Sequence, residues 1–308
     1  MRYWIGLTDR RWFEFLSAQA PLDEVNFWIP SGRKPVDLAG FPFLFKLHAG
    51  DGGQIVGGGF YDYFTRLPAR MVWDAYGIKN GAPDFDVMAS QLKRYRPGFD
   101  VDADSIGCLA LTAPFFLKRD LWIDQPADWP SSAQTGKTYD STVGSGASLW
   151  ERVQVALAAL ATQTQPAIRE TLPIGERYGA PILVAPRLGQ GTFRAKVIDA
   201  YERRCAVTNE RTLPVLQASH IKPYSQSGPH APENGLLLRS DLHTLFDRGY
   251  LTVTPARTVM VSRRIKEEFE NGRDYYALDG RQIRPPARGF PPPSAEYLEW
   301  HADTVFKR

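Results

Sequence analysis

The sequence predicts an α+β chain with two differently built halves, and three observations support that. The first 125 residues carry short strand-type runs punctuated by Gly, Pro and Asp, with only brief helical stretches between them. An Ala-rich helical segment follows near the middle. The second half sets apolar runs around a polar loop, in a region holding three of the five histidines. With 308 residues there is room for two domains, each with its own core. A hydrophobic content of 43 % and a charged content of 23 % are those of a soluble globular protein.

Taken in order, WIGL, VNFWIP, FPFLFKL, QIVGGGFYDYF and IGCLALTAPFFL are β-branched, apolar or aromatic runs bounded by turn formers. Between them, ARMVWDAYG and DVMASQLKRYR show the three-to-four spacing of short amphipathic helices. Many short strands with few helices predict a curved sheet or small barrel. The triple glycine Gly57–Gly59, inside a strand pattern, predicts a bulge or a close backbone approach. The Pro/Ser/Gly-rich stretch DQPADWPSSAQTGKTYDSTVGSGAS then closes the first domain. Its polar cluster Lys137-Thr138-Tyr139-Asp140 reads as linker, or as a source of pocket hydrogen bonds. SLWERVQVALAALATQ predicts a helix of about four turns, either packed on one domain or acting as a spacer. The expected division is 1–140, a helical linker over 141–180, and 181–308.

In the second half, APRLGQGTFRAKVIDAYERRC reads as a loop and then a helix. CAVTNERTLPVLQASHI reads as a β-hairpin about the turn TNERT, with His220 ending its second strand. The loop KPYSQSGPHAPEN and the apolar run GLLLR follow. Ser240 is then placed to cap a short helix, SDLHTLFDRG, with Asp241 in its first turn and Gly249 closing it. VSRRIKEEFENG predicts a further helix with a basic start.

Composition narrows the function classes. No apolar run approaches the roughly 20 residues of a membrane span, and the N-terminus turns charged at once, unlike a secretory signal. Two distant cysteines, Cys108 and Cys205, argue against a disulfide framework and a cysteine-held zinc. They point to a reducing compartment, with the cytoplasm as the default. Residues 1–150 hold 15 Lys and Arg against 17 Asp and Glu, a net of −2. Residues 151–308 hold 22 against 17, a net of +5 that is compatible with a polyanionic partner.

Strand, strand, loop, helix is a compact frame that can bring His220 and His243 towards one point, with Asn234 tying the loop between them. Phosphodiester hydrolysis uses such an arrangement. It needs a base that titrates near neutral pH, which imidazole provides, and a divalent ion against the phosphate charge. His243 and Asp247 are four apart, so they share a helix face and can both reach one ion.

Ser219-His220-Ile221, Asn234 and Ser240-Asp241-Leu242-His243 resemble the signature of the HNH nucleases, the ββα-metal fold. The flanking RRCAVTNERTLPVLQASHIKPY and NGLLLRSDLHTLFDRGYLTV resemble the branch found in bacterial restriction-type endonucleases, from about Gly189 to Gly280. The resemblance implies His220 as general base, Asn234 as the loop's brace and His243 as metal ligand. Many members carry an acidic residue or histidine before the base; here that position is Ser219, a weak ligand. Asp247, Asp241 or a water is left to complete the site, around Mg²⁺ first, with Mn²⁺ or Ni²⁺ as alternatives, and no structural zinc is expected. His230 has no motif role and reads as a surface histidine. Lys222, Arg239, Arg263 and Arg264, with Lys266 beside them, are candidate phosphate contacts or ordinary surface charges.

In pattern, the first half is similar to the PUA-like group that includes EVE and SRA domains. That rests on Tyr3-Trp4-Ile5-Gly6 and the order of FPFLFKL, IVGGGFYDYF and IGCLALTAPFFL. It implies a pocket for a base flipped out of double-stranded DNA, often a modified cytosine when a nuclease is attached. Trp28, Tyr61 and Trp73 are the candidate pocket aromatics, each also readable as core. Modification-dependent restriction is the leading expectation, by a dimer or by successive nicks. The alternatives are an HNH nuclease reading unmodified sequence or DNA structure, and a non-catalytic nucleic-acid reader with a degenerate HNH domain.

Overall fold

The structure, a computed structural model, describes residues 1–35, 39–163, 174–175, 182–183 and 189–308. Its contacts divide into two units, Met1–Gly189 and Gln190–Arg308. Of the expected linker, 164–180 lies outside the described residues apart from the strand pair given below. No described helix is long and apolar enough to cross a membrane.

The first unit runs β1 (Arg2–Thr8), α1 (Arg10–Ala18), β2 (Glu24–Ile29), β3 (Pro42–Leu47), β4 (Ile55–Pro68), α2 (Ala69–Tyr76) and α3 (Phe85–Tyr95). It continues with β5 (Ser105–Phe116), β6 (Gly136–Asp140) and α4 (Gly144–Gln163), then two short strands, β7 (Ile174–Gly175) and β8 (Ile182–Leu183), that pair with each other. Six strands make one mixed sheet in the order β2-β5-β4-β3-β1-β6. Only β1 and β3 run parallel. The glycine run sits where the register of β4 on β5 shifts, between Gly58 and Phe60. A Cβ on Gly57 would lie 2.3 Å from the Phe115 carbonyl, so side chains are excluded there by close backbone approach.

One face of the sheet buries Tyr3, Ile5, Leu44, Ile55 and Phe115 against Leu149, Val153 and Ala156 of α4. That helix is therefore part of the first unit's core in its described length, where a linker was expected. Lys137–Asp140 is likewise not linker. It is most of β6, which adds to the free edge of β1 from Arg2↔Asp140 to Gly6↔Gly136. Tyr139 stacks on Tyr3, and Lys137 pairs with Asp128 at 2.8 Å. α1 is a further helix beyond those expected, and Asp9 signals it by accepting from the Arg11 and Trp12 amides at its N-terminus.

The second unit runs α5 (Gln190–Ala200), β9 (Leu216–His220), β10 (Gly235–Arg239), α6 (Ser240–Asp247), β11 (Leu251–Val253), β12 (Val259–Val261), α7 (Arg264–Phe269), α8 (Arg273–Tyr276) and α9 (Ala295–Thr304). The hairpin differs from the expected one. β9 pairs with β10, the apolar run GLLLR, across the 221–234 loop, and CAVT forms no strand. The Glu210 carboxylate accepts from the Arg211 and Thr212 amides, and Asn209 is left-handed, so this stretch closes on itself. Leu236, Leu237 and Leu238 are all fully buried, which suits a strand covered on both faces. Ser240 is the first residue of α6 and makes no side-chain cap. Gly249, at φ +75°, ends the segment as expected.

His301 holds α9 to this unit. Its ring is 2 % exposed and stacks on Phe246 at 3.7 Å. Nε2 donates to the Phe246 carbonyl at 3.1 Å, so Nδ1 accepts from the Thr252 hydroxyl at 2.8 Å. Burial, the largest cause, lowers its pKa to about 4, against smaller raising effects from Phe246 and Asp247. The folded pKa lies below that of the unfolded chain, so the stabilisation is complete above about pH 6.5 and lost as pH falls towards 4, about 3 kcal/mol in all. Denaturant titrations at pH 7 and pH 4.5 are expected to show this loss, and His301→Gln is expected to remove its own share while leaving that of His220, whose pKa is also lowered to about 4.

Candidate active site

The site is assembled on β9, the loop after it, and α6. Strand alternation sends Gln217 and Ser219 to one face of β9 and His220 to the other. The His220 ring lies on Phe193 of α5, with centroids 3.8 Å apart and planes 13° from parallel. A side chain at Gly235, the residue paired with His220, would strike Val197 and Phe193. This glycine lets α5 close over the strand end and support the imidazole. Burial, then the nearby His230, and to a lesser degree His243, hold the His220 pKa down at about 4, with Asp247 opposing. The ring is therefore neutral at pH 7 and able to accept a proton.

Asn234 is fully buried and organises the loop. Its Oδ1 accepts from the Lys222 amide at 2.8 Å. Its Nδ2 donates to the carbonyls of Lys222 at 2.8 Å and Pro229 at 2.9 Å. The Ile221 amide donates to the Asn234 carbonyl at 2.9 Å. A Cβ on Gly228 would fall 1.8 Å from the Lys222 carbonyl, so this turn of the loop admits only glycine.

On α6, His243 has a partner at each ring nitrogen. Nδ1 lies 2.7 Å from Gln217 Oε1, and Nε2 lies 3.2 Å from Asp247 Oδ2. An amide oxygen only accepts, so Nδ1 carries hydrogen. Nε2 and the Asp247 carboxylate then face one another with lone pairs, and a proton or a metal cation belongs between them. Cis ligands on an octahedral ion with ~2.1 Å bonds sit about 3.0 Å apart, close to the spacing present. The Asp247 side chain is 57 % exposed, which leaves room for water and a phosphate oxygen. One imidazole and one carboxylate thus fit a hydrated divalent ion: carboxylate and water suit Mg²⁺ or Mn²⁺, and imidazole also Ni²⁺. Among the described residues no three His, Cys, Asp or Glu cluster as a complete ligand set.

Ser219 is fully buried and its Oγ donates to the His220 carbonyl at 3.4 Å, so it is not presented to an ion. Gln217, which the sequence reading passed over, stands beside His243 instead. Asp241 is engaged by Arg239 through two contacts of 2.7 Å, and Arg264 pairs with Glu268 at 3.0 Å. Lys222 lies over the Trp300 ring, and Arg263 is exposed. Cys205 is buried. In the first unit, Trp28 is 9 % exposed with its indole N–H donated to the Asn80 carbonyl, and Tyr61 is 2 % exposed. Both are packing residues here. Trp28 pairs with Tyr95 and Trp73 with Phe85, and Trp73 alone of the three keeps partial exposure.

The family model described as HNH endonuclease matches residues 205–254. Among solved structures, an ASCH protein from Zymomonas mobilis is similar at 13 % identity over 51 % of this chain and 94 % of that chain, with a TM-score of 0.34. A point mutant of that protein is similar at 12 % identity over 48 % and 96 %, with a TM-score of 0.35. A structure titled modification dependent TagI restriction endonuclease is similar at 14 % identity over 91 % of this chain and 74 % of that chain, with a TM-score of 0.28. No curated protein matches the chain. The matched segment spans β9, the braced loop, β10, α6 and β11. His220, Asn234, His243 and Asp247 all lie within the stretch, residues 205–254, that matches the HNH endonuclease family.

Proposed function

We propose that this chain is a metal-dependent DNA endonuclease of modification-dependent restriction, acting in the cytoplasm on double-stranded DNA. Its N-terminal unit would select DNA carrying modified cytosine. The observation that carries the nuclease reading is the pairing of a neutral, supported His220 with the His243–Asp247 couple, one turn of helix long, in the same domain. His220 removes a proton from water; the water oxygen bonds to phosphorus as the bond to the leaving oxygen breaks, and that oxygen takes a proton from solvent. His243 and Asp247 would hold a divalent ion, which when bound offsets the charge on the phosphate and the leaving oxygen. Asn234 keeps the loop, and with it His220, in register. Lys222 and Arg263 would meet backbone phosphates, and Arg239 and Arg264 would do so while paired. Support for modified cytosine is the strand order of the first half, and of the three proposed pocket aromatics Trp73 is the one that keeps partial exposure.

The test is digestion of matched DNAs carrying cytosine, 5-methylcytosine or 5-hydroxymethylcytosine, each with Mg²⁺, Mn²⁺ or Ni²⁺. Cleavage confined to modified DNA and abolished by EDTA is the expected result. Equal cleavage of all three would replace modification by sequence or structure as the signal. No nicking with any ion would leave a nucleic-acid reader without catalysis.

A further inference from the structure

His230, which has no place in the motif, lies against the proposed base. Its Nδ1 is 2.9 Å from His220 Nε2, with the two rings at 62° and centroids 5.0 Å apart. Tyr224 stacks on the outer face of His230 at 4.7 Å and 3°. Phe193, His220, His230 and Tyr224 thus form a continuous series of rings from α5 to the loop surface. The Asn234 bonds to Lys222 and Pro229 fold the loop so that residue 230 reaches this place. No described residue bonds to His220 Nδ1.

We infer that His230 is a positioning residue that fixes the His220 tautomer by accepting a hydrogen bond from Nε2–H, so that Nδ1 is the nitrogen that meets water. This rests on the reading of His220 as the base. With Nε2 engaged by another imidazole, only Nδ1 is open to water, and a basic Nδ1 requires the hydrogen on Nε2. His230 Nδ1 must then be the acceptor. When water's proton passes to Nδ1, the imidazolium keeps its Nε2–H on His230, and that bond becomes charge-assisted. It therefore strengthens as the reaction proceeds and favours the transition state over the resting state.

The experiment has two readouts. ¹⁵N NMR of the imidazoles in the unmodified protein should show neutral His220 protonated at Nε2, and in His230→Ala a mixture of tautomers. Single-turnover cleavage at saturating DNA should fall about tenfold or more in His230→Ala, with DNA affinity within about twofold. His230→Asn, whose Oδ1 stands where Nδ1 stood, should recover most of the rate. A wild-type His220 protonated at Nδ1 overturns the inference, and needs no variant to fold. So does a His230→Ala protein with unchanged rate and tautomer while His220→Ala is inactive. Full cleavage by His220→Ala would instead remove the reading of His220 as base.

Discussion

Replacing His220 by alanine is expected to lower single-turnover DNA cleavage by about 10³-fold while leaving DNA affinity nearly unchanged. The imidazole touches Phe193 and His230 and lies at a strand end, so its removal deletes the proton acceptor without touching the exposed cations. Retention of binding separates lost chemistry from lost fold, and an unchanged thermal melt confirms the separation. His243→Ala is a different loss. It should weaken the apparent metal affinity, and excess Mn²⁺ should restore part of its rate, because Asp247 would remain as the other proposed ligand. Added metal should not rescue His220→Ala. Full cutting by His220→Ala would remove the mechanism.

The second large effect is at Asn234, where aspartate is expected to be at least as damaging as alanine. Asn234→Ala deletes three side-chain hydrogen bonds in a fully buried position and leaves the Lys222 amide and two carbonyls without partners. A loss of about 2–4 kcal/mol follows from bonds and orphaned groups of this kind. Asn234→Asp keeps the acceptor for Lys222 but turns the donor edge into a carboxylate oxygen facing the Lys222 and Pro229 carbonyls. An uncompensated buried charge costs about 3–5 kcal/mol, a large fraction of a domain's stability. Chemical denaturation of the two variants measures the order. An Asp variant as stable as the parent would show that the donor edge does not hold the loop.

The chemistry-bearing residues were readable along the chain because they lie close together in it. His220, Asn234, His243 and Asp247 fall within 28 positions, and helical spacing alone places the last two together. The glycine run was legible for a similar reason: only backbone contact, as at Gly57 against Phe115, explains three glycines in a strand pattern. The hairpin was misread at its first strand. CAVT and GLLLR both carry strand-type residues, and local bonds from Glu210 decided against the former while burial on both faces decided for the latter.

The sequence by itself determined the α+β class and the nuclease signature, and it nominated the residues proposed as base, brace and ligand. Those depend on residue type and short-range spacing, which the linear chain displays. Tertiary structure alone decided the rest. His230 is a neighbour of His220 because Asn234 folds the loop back. Gln217 meets His243 because α6 packs beside β9 at that position, while Ser219, two residues on, is sealed in the interior. Trp28 is a packing residue because Asn80 takes its indole N–H and Tyr95 of α3 lies against its ring, and α4 belongs to the first core because its apolar residues meet Tyr3 and Ile5. Each is a contact between segments whose separation along the chain says nothing of their distance in space.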